Sequence, residues 1–463
     1  MPARADGGNS PPALAGAEPA DAAPEKTPSG PVRVLKVLAL TLLAVLTLLF
    51  AAVGVLYFTR ETPARAVHAF GEVARPPAPG EPAFLQTIQL LAGTPLAPGH
   101  AVEILMNGDG TFPRLWADMK SARSTLTVQL YYCNPGAVAD SLKAVMMGRA
   151  RAGVATHFLY DGFGAEPLTD AYMDSLRAAG VRVAVFRPVK WYSLHKAQHR
   201  SHVRAVVVDG RVGYTGGFGI DDRWLGGGRA PDEWRETNVR FEGPAVEQLQ
   251  AAFAAAWTEA TGQLLVGGAY FPEAVSGAAG GAVAGLQYAA PTLGSTSAER
   301  LLALTIAGAR RTLYVANAYP VPTPFLRREL MGAARRGVDV RLLLPNERTD
   351  VPLTRYAAHS FYAELLGGGV RIFEYQPAMM HAKTFVADGQ WSAIGSMNLD
   401  NRSLAYNDES TLLVLDRRIG AAMDSLFHED LGHAREILLE TFARRPWHAR
   451  WREWLAGLVV NLL

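Results

Sequence analysis

The chain opens with two contrasting stretches. Residues 1–36 are rich in Ala, Pro and Gly, with scattered charges and no apolar period, so they bury too little surface to offset chain entropy and are expected to form a disordered tail. Residues 37–58, Val37 to Phe58, then run for 22 positions without a charge. A helix of that length crosses a hydrocarbon core of about 30 Å, which predicts one transmembrane helix. A signal-peptide core holds only about 7 to 15 apolar residues, and length therefore favours a span over a cleaved leader. Lys26, Arg33 and Lys36 before the span face Arg60 and Arg65 after it, a small positive-inside bias that leaves open which side the rest of the chain occupies. Residues 59–98, with seven prolines from Pro63 to Pro98, read as a stalk that carries an apolar helical piece near Phe84 to Ala92.

Beyond the stalk the patterning repeats. Leu126–Tyr132 reads as a strand; a helical stretch follows, and Arg149-Ala-Arg-Ala-Gly153-Val-Ala-Thr-His-Phe-Leu-Tyr160 ends that helix at a glycine and begins the next strand. Leu313–Ala318 and Ala334-Arg-Arg-Gly337-Val-Asp-Val-Arg-Leu-Leu-Leu344 say the same again. So do Leu176-Arg-Ala-Ala-Gly180-Val-Arg-Val and Leu365-Leu-Gly-Gly-Gly369-Val-Arg-Ile. Strands alternating with helices predict βαβ units and a helix-flanked sheet in each half. We place the first half at 99–262 and the second at 298–445. The Gly/Ala/Ser-rich connection between them, 263–297, has room for a short strand at Gly285–Ala289. The tail 446–463 joins Trp447, Trp451 and Trp454 to Arg450, Arg452 and an apolar end too short to span. It suits an interfacial amphipathic helix at lipid headgroups, or a terminal helix packed on the protein.

Composition narrows the function classes. The chain is 49% hydrophobic and 19% charged, an ordinary globular balance, and 45 Lys+Arg against 43 Asp+Glu give a net charge of +2. No global basic field announces nucleic acid, and no nucleic-acid partner is expected. A single cysteine, Cys133, excludes an internal disulfide framework and a Cys-rich zinc module.

The candidate chemistry centres on His381-Ala-Lys383-Thr-Phe-Val-Ala-Asp388, followed by Gly395-Ser396-Met-Asn398. On a strand His381 and Lys383 project from one face. An imidazole can act as nucleophile or proton donor near neutral pH, and an ammonium beside it can neutralise a phosphodiester's oxygens. Ser396 and Asn398 could add neutral hydrogen bonds to those oxygens. The first half carries an altered version, His202-Val-Arg204-Ala-Val-Val-Val-Asp209, then Gly216-Gly217-Phe-Gly219. His195, His199 and His202 lie close together, with helical spacing between the first two, but a rim or solvated loop is a simpler reading than a metal site. The ten-residue surplus from Gly180 to His202 over Gly369 to His381 makes that stretch an insertion.

The HxKxxxxD line followed by GSxN resembles the phospholipase D superfamily. Glu374-Tyr-Gln-Pro377, Asn398-Leu-Asp-Asn-Arg-Ser403 and Ala333-Ala-Arg-Arg-Gly-Val-Asp-Val-Arg-Leu-Leu-Leu-Pro345 are similar to bacterial cardiolipin synthases in particular. The resemblance implies an α/β fold of two repeated sandwich halves sharing one central active site, preceded by the transmembrane helix. It implies a catalytic set of His202, Arg204, Asp209, His381, Lys383 and Asp388, with the two aspartates holding the motif loops. Ser396, Asn398, Glu236 and Glu409 would serve as phosphate-binding or supporting residues, each glutamate being a downstream carboxylate that orients an imidazole. The implied reaction is phosphatidyl transfer through a phosphohistidine, with phosphatidylglycerol as phospholipid substrate and neither cofactor nor metal. Arg204 stands where the family has lysine and Gly219 where it has asparagine, which motivates a rival reading as a membrane-bound lipid-binding protein with a degenerate first half-site. A lipid hydrolase or a nuclease is the other rival. The residues assign no oligomeric state.

The expected localisation is the cell membrane. Deleting Met1–Phe58 should move the protein, wholly or in part, from washed membranes to the soluble fraction. Retention through high salt and carbonate would identify the C-terminal helix or another surface as the anchor.

Overall fold

The computed structural model describes residues 30–58, 75–189, 199–273, 279–290 and 296–458. The chain divides into two units, Met1–Phe58 and Thr59–Leu463. In the first, a helix runs from Gly30 to Phe58; its stretch Arg33–Gly54 has a mean hydropathy of 2.6, is wholly unburied, and is the one helix among the described residues long and apolar enough to cross a membrane. The helix starts at Gly30, ahead of the expected Val37, because Pro31 suits a first helical turn and Val34 and Leu35 continue the apolar run. The rest of the expected tail, 1–29, and stalk residues 59–74 lie outside the described residues.

In the second unit the first half contributes β1 (Ala97–Met106), β2 (Thr125–Leu130), β3 (Ala155–Asp161), β4 (Arg182–Phe186), β5 (Ala205–Val208), β6 (Val212–Gly216), β7 (Trp234–Arg235) and β8 (Thr237–Glu242). The second half contributes β9 (Ala282–Ala289), β10 (Thr312–Asn317), β11 (Asp339–Pro345), β12 (Arg371–Tyr375), β13 (Met379–Met380), β14 (Lys383–Ala387), β15 (Trp391–Gly395), β16 (Glu409–Leu415) and β17 (Ala434–Ile437). Helices Ala137–Arg151 and Asp170–Ala178 link β2, β3 and β4, as Pro324–Arg335 and Pro352–Gly367 link β10, β11 and β12. Each of these two triplets is parallel. The glycines expected to end the first helix of each set do so, Gly153 and Gly337 at φ 87° and 89°, a conformation costly to any residue with a Cβ.

Fifteen strands join in the order β17-β12-β11-β10-β14-β15-β16-β9-β1-β8-β6-β5-β2-β3-β4. Outward from the antiparallel β9–β1 pair, the two sides read alike. The doubling seen along the sequence is therefore a doubling of topology, with β17 an addition to the β12 edge. Period-two alternation sends side chains to two faces. In β10, Leu313 and Val315 join a core belonging to the second half, whereas Tyr314 and Ala316 join a core built from both halves. In β5, Val206 and Val208 join a core built mainly from the first half, to which Ala318 and Met379 of the second half are added, while Ala205 and Val207 enter the shared one. This common core is why Thr59–Leu463 behaves as one unit.

Three peripheral segments are tied in. The stretch 263–297, expected to be a surface connection with a short strand, is corrected: its β9 belongs to the second half's repeat and occupies the centre of the sheet, between β16 and β1. Within the expected stalk, helix Pro82–Ala92 buries Phe84, Ile88 and Ala92 against the second half. Phe84 meets Trp391 edge to face at 5.2 Å. Burying such a ring is worth about 1.5–3 kcal/mol, so this part of the expected stalk is docked. The C-terminal helix Trp447–Leu458 lies against Pro352–Gly367, with Glu453 paired to His359 at 3.2 Å; Trp447, Trp451 and Trp454 nevertheless stay 73%, 56% and 57% exposed.

The motif aspartates serve the fold. Asp388, at φ 55°, accepts from the backbone N–H groups of Arg310, Arg311 and Thr312 at 2.7–3.2 Å. Asp209, at φ 52°, does the same for Arg123, Ser124 and Thr125 at 2.7–3.1 Å. Each carboxylate pins the end of the strand before its own turn, β5 or β14, to the start of β2 or β10. Asp388→Ala should lower the unfolding free energy by about 2–4 kcal/mol, since it orphans part-buried donors and leaves a non-glycine residue in left-handed backbone. Asp209→Ala should cost less, because Arg123 and Ser124 are nearer solvent. Denaturant titration of the two variants checks both the sign and the order.

Candidate active site

Each histidine of the two motifs sits just before its strand, on backbone borrowed from the opposite half. Met379 and Met380 in β13 pair in parallel with Trp234 and Arg235 in β7, and the His381 amide donates to the Arg235 carbonyl at 2.8 Å. On the other side the His202 amide donates to the Asp408 carbonyl and the Asp408 amide to the Arg200 carbonyl, both at 2.9 Å. Arg235 and Asp408 immediately precede Glu236 and Glu409. The backbone exchange therefore delivers each glutamate to the other half's imidazole.

The side chains follow. His202 Nδ1 lies 2.9 Å from Glu409 Oε2, and His381 Nδ1 lies 2.6 Å from Glu236 Oε2. Both glutamates were expected to orient histidines as downstream carboxylates. Both pairings are corrected: Glu236 was expected for His202 and Glu409 for His381, and the structure exchanges them, so that each carboxylate comes from the opposite half. Both imidazoles are buried, 7% and 2% exposed.

Lys383 Nζ stands 2.9 Å from each ring nitrogen of His381 and also donates to the His381 carbonyl. Arg204 repeats the last contact, Nη1 to the His202 carbonyl at 2.7 Å, and adds Nε to the Phe218 carbonyl at 3.3 Å. Its Nη2 has no protein partner among the described residues. Burial, then the charges of Arg204, Lys383 and Arg402, hold the His202 imidazole well below its ordinary range. Burial, then Lys383, Arg204, His202 and Arg223, do the same to His381. Burial also pushes the Glu236 and Glu409 carboxyls up and brings Lys383 down to about 7. The neighbouring cations oppose the rise of the carboxyls and reinforce the fall of the imidazoles. We therefore assign each pair as a carboxylate accepting Nδ1–H from a neutral imidazole, which leaves Nε2 with its lone pair. A bound phosphodiester anion would reverse part of the cationic bias and make either ring easier to protonate.

The supporting residues divide. Ser396 donates its one hydroxyl proton to Glu409 Oε2 at 2.5 Å, and so serves His202 through Glu409. That is a different task from the expected direct hydrogen bond to phosphate. Asn398 is buried with Oδ1 unpartnered, an acceptor that a substrate hydroxyl could satisfy. His195 lies outside the described residues; His199 Nδ1 is engaged at 3.2 Å from the Tyr406 carbonyl.

Four aromatic residues of the site were not singled out from the sequence. Tyr131 lies edge-on to His202 at 5.1 Å, and Tyr319 edge-on to His381 at 6.1 Å. Trp234 stacks on His381 at 4.6 Å, and Trp224 meets the same ring edge-on at 5.2 Å. Tyr131 and Tyr319 sit just past the carboxyl ends of β2 and β10, a usual place for ligand contacts in α/β sheets. That position was the available signal. For Trp224 there was none.

A family model described as "Cardiolipin synthase, PLD-like domain" matches residues 302–431. The chain is 34% identical to the cardiolipin synthase of Geobacillus kaustophilus over 84% of this chain and 77% of that one. It is likewise 34% identical to cardiolipin synthase A of Pseudomonas putida, over 77% and 74%. The crystal structure of a phosphatidylserine synthase from Haemophilus influenzae superposes with a TM-score of 0.60, covering 82% of this chain and 99% of that one at 11% identity, a likeness of fold.

Because Arg204 keeps both a cation and the carbonyl contact seen at Lys383, it should act as a working substitute for lysine. Arg204→Lys is expected to keep substantial turnover of a phosphodiester, and Arg204→Ala to lose about a hundredfold or more, the scale for one charge-stabilising donor. Wild-type kinetics in the alanine variant would show that the first half-site does not bind the reacting phosphate.

Proposed function

Since the chain belongs to the phospholipase D-like cardiolipin synthase family, we propose that it is a membrane-associated phosphatidyltransferase converting two phosphatidylglycerol molecules to cardiolipin and glycerol. The observation that carries this reading is the crossed pair of His–Glu units beside Arg204 and Lys383. Two imidazoles with Nδ1 held by a carboxylate, and Nε2 either open or, in His381, beside the Lys383 ammonium, suit a double displacement at phosphorus.

In the first step His202 Nε2 attacks the phosphorus of one phosphatidylglycerol. The bond from phosphorus to the headgroup glycerol oxygen breaks, and a protonated His381 gives its Nε2 proton to that oxygen, releasing glycerol. Lys383, Arg204 and the hydrogen-bond donors around them stabilise the charge on the non-bridging oxygens. In the second step neutral His381 takes the proton from a headgroup hydroxyl of a second phosphatidylglycerol. The hydroxyl oxygen attacks phosphorus, the phosphorus–nitrogen bond breaks, and His202 is restored. We assign His202 as nucleophile by family analogy.

The apolar helix near the N-terminus supports a single-pass anchor in the cell membrane. The exposed tryptophans of Trp447–Leu458, with Arg450 and Arg452 on the same short helix, support a second contact at the headgroup layer.

Phosphatidylglycerol vesicles given to the purified full-length protein test the reaction. Cardiolipin plus glycerol is expected; phosphatidic acid would mean hydrolysis, and no turnover would favour a lipid-binding role. His202→Ala and His381→Ala should each abolish transfer, with the double variant scarcely worse, because groups acting as a unit are strongly non-additive. With an activated diester whose leaving group needs no proton, His381→Ala should still form the phosphoenzyme and His202→Ala should not. Full activity in His202→Ala beside a dead His381→Ala would assign the reaction to two copies of the second motif.

A further inference from the structure

Besides Arg204 for Lys383, the first half-site departs from the second at Gly217 for Ser396 and Gly219 for Asn398. The structure accounts for both with a third residue. Where Ser396 donates to Glu409, Gly217 offers no donor, and a Cβ there would lie 2.5 Å from Glu236 Oε2. Glu236 instead accepts from the indole Nε1–H of Trp224 at 3.2 Å and from the Thr237 amide at 3.0 Å. The Trp224 ring lies where the side chain of residue 219 would begin: a Cβ on Gly219 would stand 2.8 Å from both Cη2 and Cζ3 of the indole.

Trp224 is held firmly. It closes the short 3-10 turn Asp222–Trp224, whose start is capped by the Asp221 carboxylate accepting from the Arg223 amide at 2.8 Å. The ring is 1% exposed, 4.4 Å from Trp234 and 5.2 Å from His381. On those observations we propose that Trp224 is a positioning residue of the reaction, supplying Glu236 and through it His381 with the hydrogen bond that Ser396 supplies to Glu409 and His202. Gly217 and Gly219 are the spaces this substitution requires, so the first motif is rebuilt around an indole and is not decayed. The inference rests on the proposed two-histidine reaction, but its own test does not depend on turnover alone.

The role has an electrostatic sign. The groups facing His381 are Glu236, Trp224 and Trp234 from the first half and Lys383 and Tyr319 from the second, with Arg204, His202 and Arg223 acting on it electrostatically from nearby. An indole N–H on Glu236 draws off part of the carboxylate's charge. Without it the carboxylate pulls harder on the imidazole Nδ1–H and favours the imidazolium.

Trp224→Phe keeps a ring and removes the donor. In a pH series on phosphatidylglycerol vesicles, the full-length variant should lose about 10- to 100-fold in kcat with KM within about twofold, the scale on which an outer hydrogen-bond partner is felt at a histidine-centred site. The limb of the profile belonging to His381 should move to higher pH. NMR titration of isotope-labelled histidine in wild type and variant reads the same His381 shift without turnover. On an activated diester, Trp224→Phe/His381→Ala should be no slower than His381→Ala alone. An unmoved His381 titration, a uniform loss with both limbs in place, or losses that multiply in the double variant would overturn the role and leave the two-histidine reaction standing. A wild type that fails to turn over lipid counts against that reaction instead, and the titration still judges Trp224.

Discussion

Completion of each half's histidine by the other half's carboxylate is the constraint on which the site depends. Glu236 is 0% and Glu409 1% exposed. A carboxylate so buried is costly unless it is hydrogen-bonded and has a cationic or proton-donating partner. The partner in each case lies on the opposite half, and the backbone contacts of Arg235 with His381 and of Asp408 with His202 secure the arrangement before any side chain is considered. Neither half could form a competent imidazole alone. The shared core of Val207, Val239 and Phe241 with Val386, Ile394 and Leu412 keeps the two in register.

Within that frame the halves are not equal. His202 has a carboxylate held by a serine hydroxyl and a guanidinium anchored on two carbonyls. His381 has a carboxylate held by an indole, an ammonium in contact with its ring, and a tryptophan stacked on its face. In the proposed reaction the two imidazoles do different things in one step, attack and proton donation, and their surroundings differ. In that reaction the cations that favour neutral rings at rest would also attract the phosphate, whose charge would make protonation easier. One set of side chains would thereby prepare both states.

The aspartates of the two motifs show how a signature can mix purposes. They share the motif with the reacting groups, yet each spends its carboxylate on three backbone N–H groups and takes a left-handed backbone conformation at the turn between two strands. Their contribution to the site is the placement of β5 and β14. Ser396 is similar: its place in the motif suggested phosphate, and its single proton goes to Glu409.

How much was legible in advance follows from the range of the interactions. Periodicity along β2, β3, β10 and β11, the helix-ending glycines and the apolar run before Phe58 are local, and these elements appear near the residues where the pattern places them. The His381-Lys383 pair was likewise local, two positions apart on an extended segment. The partners of the histidines were not. Glu409 is 207 residues from His202 and Glu236 is 145 from His381, and alternation within one strand says which face a residue takes but not what it meets. The docking of Phe84 on Trp391, the engagement of Ser396 and the filling of the Gly219 space by Trp224 were decided by packing. A glycine in a sequence shows only that a side chain is missing, and the folded chain shows which other side chain takes its room.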